Sequence, residues 1–181
     1  MLKDHIRDEL GDIKIDKVTF RDKGAYYLSA FCDGECVYKK RNDFDIFYIG
    51  FLKGLFFRDA CYSCRFATPH RIGDLTLGDF WGFKSQNGVF PVKHNNGLSV
   101  VLVNTKKGDR LFSSCNEFLF TMERELAEAV AGNRQLRFPS RKHGSWDAFR
   151  KQYIKKGFGK AANRALWIEK IKYWILTKIG Q

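Results

Sequence analysis

A chain of 181 residues suits one domain or a domain with an appendage, and at this size about 70% of the unfolded surface can be buried. Hydrophobic residues make up 44% of it, including 17 Phe, 7 Tyr and 4 Trp, and 29% is charged, a balance that excludes a disordered chain. Lys and Arg outnumber Asp and Glu by 32 to 20, so the net charge of +12 selects anionic partners, and the excess gathers between Arg141 and Lys178.

The opening residues, MLKDHIRDELGD, do not read as a leader, and nowhere do about 18 apolar residues follow one another. A soluble, cytoplasmic protein without a transmembrane segment is expected. In that setting the five cysteines read as thiols or metal ligands before disulfides.

In chain order, KVTFRD, AYYLSAF and ECVYKKR between Lys17 and Arg41 are rich in β-branched and aromatic residues and are separated by Lys23-Gly24 and Asp33-Gly34-Glu35. They predict a three-strand meander. Phe44 to Phe57 has helical apolar spacing after a cap at Asn42 or Asp43, with Gly50 and Gly54 either weakening the helix or admitting another backbone. Residues 58–82, RDACYSCRFATPHRIGDLTLGDFWG, form a long Cys-, Gly- and Arg-containing loop with a short strand at Asp74 to Leu77, and long ordered loops are more often sites than spacers.

Beyond a Gly- and Asn-rich connection, LSVVLV from Leu98 to Val103 reads as a strand covered on both faces. Asn104-Thr105 caps a helix from about Lys106 to Cys115, and a second helix within Phe118 to Ala131 ends at Gly132-Asn133 in a left-handed cap. After Pro139 come a helix around Trp146 to Lys155, a break at KKGFGK, and a helix from about Lys160 to Ile179. Its apolar face, with Trp167 or Ile168, Ile171, Trp174 or Ile175 and Leu176 opposite Lys170, Lys172 and Lys178, is expected to dock on its own domain rather than on a membrane surface. The fold class is α+β, an antiparallel or mixed sheet with packed helices, divided into a domain over 1–139 and a basic helical tail over 140–181.

Cys61 and Cys64 form a C-x-x-C pair whose spacing lets two thiolates reach one metal centre, which is half of a four-ligand site. Cys32 and Cys36 flank a hairpin turn and are the weaker candidates for the other half, with strand core as the plainer reading of Cys32. Cys115 reads as a buried helix thiol. A thioredoxin-like pair fits poorly, because no strand leads into Cys61 and Pro69 blocks a following helix. In GDLTLGDFWG the glycines permit close approach of a phosphate or ring. The plainer alternative is a strand and turn with Phe80 and Trp81 in the core. Arg65, His70 and Arg71 beside it are suited to phosphates or carboxylates, or form a solvated rim. His94 and His143 have no partners at metal-ligand spacing, and no nucleophile elbow or paired carboxylates occur.

The segment RDACYSCRFATPHRIGDLTLGDFWG resembles the C-terminal domain signature of the coenzyme F420 hydrogenase/dehydrogenase beta-subunit family, where Arg-x-x-Cys-x-x-Cys leads to an Asp-Ile/Leu-Thr-Ile/Leu-Gly/Ala-Asp-Phe/Tyr-Trp-Gly motif. FRDK at 20–23, GLFFR at 54–58, GLSVVLVNTKKG at 97–108 and AVAGNRQL at 129–136 extend the resemblance from about Val18 to Tyr153. It implies FAD, a 4Fe-4S cluster and electron transfer to a deazaflavin or another acceptor. By motif, Cys61 and Cys64 fall on cluster-ligand positions, and Asp74, Thr76, Gly78, Asp79 and Trp81 on the strand presumed to face the flavin.

The family's N-terminal ferredoxin-type cysteines and Gly-Thr-Pro-Cys segment do not occur here. The reading is therefore a flavin and iron-sulfur redox domain completed by an N-terminal ferredoxin-like region or subunit, with the positive charge attracting an acidic redox partner and nucleic acid not the expected ligand. Two alternatives are a zinc-stabilised binding module using Cys32, Cys36, Cys61 and Cys64, and a scaffold domain linked to polysaccharide biosynthesis.

Overall fold

A computed structural model describes residues 1–83 and 97–179, with the side chains of the last helix described as far as Ile175. The Gly- and Asn-rich connection, with His94, and the side chains of Leu176 and Lys178 lie outside the described residues. The chain forms two compact units, one of residues 1–58 with 141–181 and one of residues 59–140. Both contain helices and a small antiparallel sheet, so the class is α+β.

In the first unit β1 (Lys17–Thr19), β2 (Tyr27–Cys32) and β3 (Glu35–Arg41) pair in that order. The expected meander is present, and its turns follow from local chemistry. Lys23 and Gly24 have φ of 46° and 84°, Asp33 and Gly34 have 49° and 83°, so each turn has two adjacent left-handed residues, the conformation that matches the strand twist and that Gly adopts freely.

The helix α1 (Leu2–Leu10), which sequence reasoning did not anticipate, sets Ile6 against Leu28 and Ala30 of β2, Tyr38 of β3 and Tyr48 of α2 (Ile46–Leu52). A second cluster joins Ile46, Ile49 and Leu55 to Phe149, Phe158, Ala161 and Leu166, and Phe47 packs against both. The cap of α2 is Asp45, not Asn42 or Asp43, because its Oδ1 accepts the Tyr48 amide at 2.8 Å. The helix stops at Leu52, short of the expected Phe57. Gly54, at φ 68°, then brings the chain against the Arg141 carbonyl, where a side chain would collide, so the close-approach reading of this glycine holds.

The basic tail belongs, from Arg141, to this same unit. The KKGFGK break is a non-helical Gly157 at φ 78° inside α6 (Trp146–Ala165), and α7 (Trp167–Ile179) follows after Leu166. The docking expectation for the last helix is corrected: Leu166 is fully buried, Glu169 pairs with His143 and Tyr173 packs on the core, whereas Trp167, Ile168, Ile171, Trp174 and Ile175 are exposed. Among the described residues no helix is long and apolar enough to cross a membrane.

The second unit contains α3 (Asp59–Tyr62), β4 (Leu75–Asp79), β5 (Ser99–Val103), α4 (Lys106–Ser114) and α5 (Leu126–Gly132). β4 and β5 form a two-stranded ladder running from Leu75 opposite Val103 to Asp79 opposite Ser99. β5 is only partly covered and Val103 and Ser99 are exposed, so the strand is not enclosed on both faces. α5 is shorter than expected, with 3-10 turns at Asn116–Phe118 and Arg134–Leu136 around it. Its end is not a left-handed cap, since Asn133 has φ −107°.

Candidate functional site

The signature is built within the second unit. Asp59 to Tyr62 form one turn of helix that carries Cys61, and Cys64 sits just beyond it, its carbonyl accepting the Ala67 amide at 3.2 Å. The Cys61 carbonyl accepts the Ser140 amide at 3.0 Å, which ties this turn to the end of the unit. Both thiols are free and partly exposed. A free, partly exposed pair three residues apart fits one half of a four-thiolate centre. Among the described residues no group of three or more His, Cys, Asp or Glu side chains stands together as a ready metal centre.

Cys32 and Cys36 lie in the first unit, at the β2–β3 turn. Burial, and then the neighbouring carboxylates of Asp33 and Asp16, push the Cys32 thiol above its ordinary pKa. That favours the protonated form over the thiolate a metal needs. The Cys36 thiol is exposed and points to the Tyr38 carbonyl at 3.3 Å. Cys115 is half-buried at the C-cap of α4 and is not sealed in a core.

From Gly73 the chain enters β4, whose two ends differ. At the start, Thr105, the N-cap of α4, accepts the Gly108 amide at 3.1 Å and donates its hydroxyl to Asp74 Oδ1 at 2.6 Å. Lys107 pairs with the other Asp74 oxygen at 3.1 Å. The Thr105 hydroxyl, and then Lys107, hold the Asp74 carboxyl below its usual pKa. The Asn104 amide donates to the Gly73 carbonyl at 2.8 Å and to Thr76 Oγ1 at 3.0 Å. The side chains of Asp74 and Thr76 therefore staple β4 to the turn that starts α4. Gly108 belongs to the same staple, since a side chain there would overlap the Asp74 carbonyl.

The far end of β4 is open. Gly78 and Asp79 are exposed and Trp81 is 56% exposed, so the reading that placed Trp81 in the core is corrected; Phe80 is partly buried, edge-on to Phe83 at 5.5 Å between ring centres. Apolar Leu77 and Ile72 are 70% and 87% exposed. Trp81 and Gly82 are set by α5: a methyl group on Gly132 would overlap the Trp81 carbonyl oxygen, so only glycine lets these backbones meet.

The two arginines also divide. Arg71 donates Nε to the Thr68 carbonyl at 2.8 Å and a terminal nitrogen to the Gln135 carbonyl at 3.0 Å, which fixes the loop before β4. Arg65 is exposed, with its guanidinium 5.2 Å from the Phe66 ring centre. His70 is exposed. His143, given no role from sequence, lies in the first unit with Nε2 3.1 Å from Glu169 Oε1, a hydrogen bond between the start of the tail and α7.

Sequence reasoning found the cap at Asn104-Thr105 but not its partners. Thirty-one residues separate Asp74 from Thr105, and no local pattern links them. A family model for the C terminus of the coenzyme F420 hydrogenase/dehydrogenase beta subunit matches residues 4–127. No curated protein and no solved structure matches. The match spans the C-x-x-C turn, the staple and the open strand end, and the chain therefore belongs to the family of C-terminal domains of coenzyme F420 hydrogenase/dehydrogenase beta subunits.

Proposed function

We propose that the second unit forms one wall of a redox pocket that is completed by an N-terminal ferredoxin-like region or subunit and that passes electrons between an iron-sulfur donor and a deazaflavin or another acceptor. The observation that carries this reading is the family match across the C-x-x-C and β4 signature. In support, the signature residues divide into a fixing set and a presenting set. Asp74, Thr76 and Arg71 are engaged by their own chain, while Gly78, Asp79, Trp81 and Arg65 face outward.

Cys61 and Cys64 supply two thiolates of a 4Fe-4S cluster and the partner region supplies the rest. Arg65 is the guanidinium for FAD phosphates, and Gly78 lets a ring or phosphate approach the strand next to Trp81. A cluster and a flavin held there would supply the one- and two-electron chemistry, and the protein's own residues contribute position, charge and exclusion of water. Apolar residues as exposed as Ile72 and Leu77 agree with a surface that a further region covers.

The test is anaerobic reconstitution of the chain together with the ferredoxin-like region, followed by iron analysis and visible absorption. Bound iron that is lost in Cys61→Ser and Cys64→Ser but retained in Cys115→Ser is expected, with flavin retention weakened in Arg65→Ala. Absence of both iron and flavin in the reconstituted pair would overturn the proposal.

A further inference from the structure

The face of α7 that sequence reasoning expected to dock is turned away from the unit. Leu166, Glu169 and Tyr173, spaced by three and four, hold the helix in place through burial, the His143 hydrogen bond and packing on the core. At 3.6 residues per turn, Trp167, Ile168, Ile171, Trp174 and Ile175 share another stripe, an arc of about 120°. Trp167 is 58%, Ile171 46% and Trp174 61% exposed.

Lys170 and Lys172 fall on the two sides of that arc, where their stems can lie along apolar material while the ammonium groups reach outward. The Lys170 ammonium donates to Asn163 Oδ1 at 2.6 Å.

The charge of the surrounding chain identifies the occupant. Residues 141–181 hold eleven Lys and Arg against two Asp and Glu, nine of the net twelve positive charges. On α6, Lys151, Lys155, Lys156, Lys160 and Arg164 are all exposed. Phosphate-bearing surfaces satisfy that charge, but a nucleic acid has no counterpart for a stripe of three isoleucines. A bilayer interface has both, with anionic headgroups for the lysines and an acyl boundary for Ile and Trp, and Trp is the residue that prefers that boundary. The 13-residue α7 is about 20 Å long, too short to span a hydrocarbon core of about 30 Å, and long enough to lie in the interface.

We infer that α7 is an interfacial helix that seats this protein on an anionic lipid surface, with the Trp167/Ile171/Trp174 stripe in the acyl boundary and the basic residues of α6 and α7 at the headgroups. The inference is independent of the redox reading, since every residue in it lies in residues 141–181, beyond the family match.

The full chain is mixed with phosphatidylcholine vesicles with and without phosphatidylglycerol, and co-sedimentation and tryptophan emission are read. Expected are a blue-shifted emission and sedimentation with the anionic vesicles, weaker binding to the neutral ones, and weakening as salt rises. Ile171→Asp is expected to lower partitioning about tenfold or more, and Trp167→Ser to lower it as well, with the far-UV spectrum of both variants unchanged because both positions are exposed. Lys172→Glu should weaken binding to anionic vesicles alone. No partitioning onto anionic vesicles, equal binding to both compositions, or partitioning unaffected by Ile171→Asp would each overturn the inference. So would self-association, or binding to duplex DNA, in place of lipid binding.

Discussion

Replacing Asp45 with Ala tests how the first unit is held together. The Asp45 carboxylate is fully buried and does three things: Oδ1 caps α2 through the Tyr48 amide at 2.8 Å, Oδ2 accepts the Tyr38 hydroxyl at 2.5 Å, and the same oxygen lies 3.0 Å from Nε2 of His5. One side chain thus joins α1, β3 and α2. Its loss removes an N-cap, at about 1 kcal/mol, and leaves the buried Tyr38 hydroxyl and His5 Nε2 with only each other, 3.3 Å apart, at about 1–2 kcal/mol each, the low end of the cost of an unmet buried group. The sum, about 3–5 kcal/mol, is a large part of the roughly 5–15 kcal/mol that stabilises a domain.

Urea unfolding followed by far-UV circular dichroism should show a midpoint lowered by about 2 M at an ordinary slope. Tyr38→Phe, which removes a donor and leaves the carboxylate its cap and His5, should cost less, about 1–2 kcal/mol. A loss below about 1 kcal/mol for Asp45→Ala, no more than a routine surface substitution would give, refutes the reasoning.

The same cluster sets a pH window. Burial alone would raise the Asp45 carboxyl, but hydrogen bonds from His5 and Tyr38 outweigh it and hold the group below its ordinary value. Because the folded value lies below the unfolded one, this stabilisation is in place above about pH 4 and drains as pH falls through the folded value. Tyr38 is pushed far up by burial and then by Asp45, so its share is in place below about pH 10 and is lost as pH rises. Asp45→Ala should flatten the acid limb in a stability titration.

Two further outcomes concern the second unit. Gly132→Ala should destabilise by about 1–3 kcal/mol and speed proteolysis around Trp81, although helix propensity alone favours Ala by about 1 kcal/mol; a stabilised variant would show that the Trp81 carbonyl does not press on this glycine. Thr105→Val removes the α4 cap and should speed exchange of the Gly108 amide about fivefold by hydrogen exchange, a cost of about 1 kcal/mol. In the same variant Asp74 should titrate closer to an ordinary carboxyl when its resonance is followed against pH, and an unmoved titration would assign the shift to Lys107 instead.

Local chemistry settled what local chemistry can reach. The meander and its Gly turns, the Thr105 cap, the break at Gly157 and the C-x-x-C signature were legible because each rests on residues a few positions apart. The family was legible for the same reason: its motif is a continuous run of residues whose order is specific.

What tertiary structure alone decided is where each of those pieces points. The apolar stripe of α7 has the spacing of a docking face, yet a neighbouring stripe with one hydrogen bond and one tyrosine does the docking, because periodicity states that a face exists and not which side the core lies on. Nothing in the order of the motif separates Asp74 and Thr76 from Gly78 and Asp79, and only the arrival of Asn104 and Thr105 from about thirty residues away divides those that brace the strand from those it presents. The short α1 and its buried His5 escaped notice altogether, since a nine-residue helix is marginal in isolation and forms here because Asp45, forty positions along the chain, gives its histidine a partner.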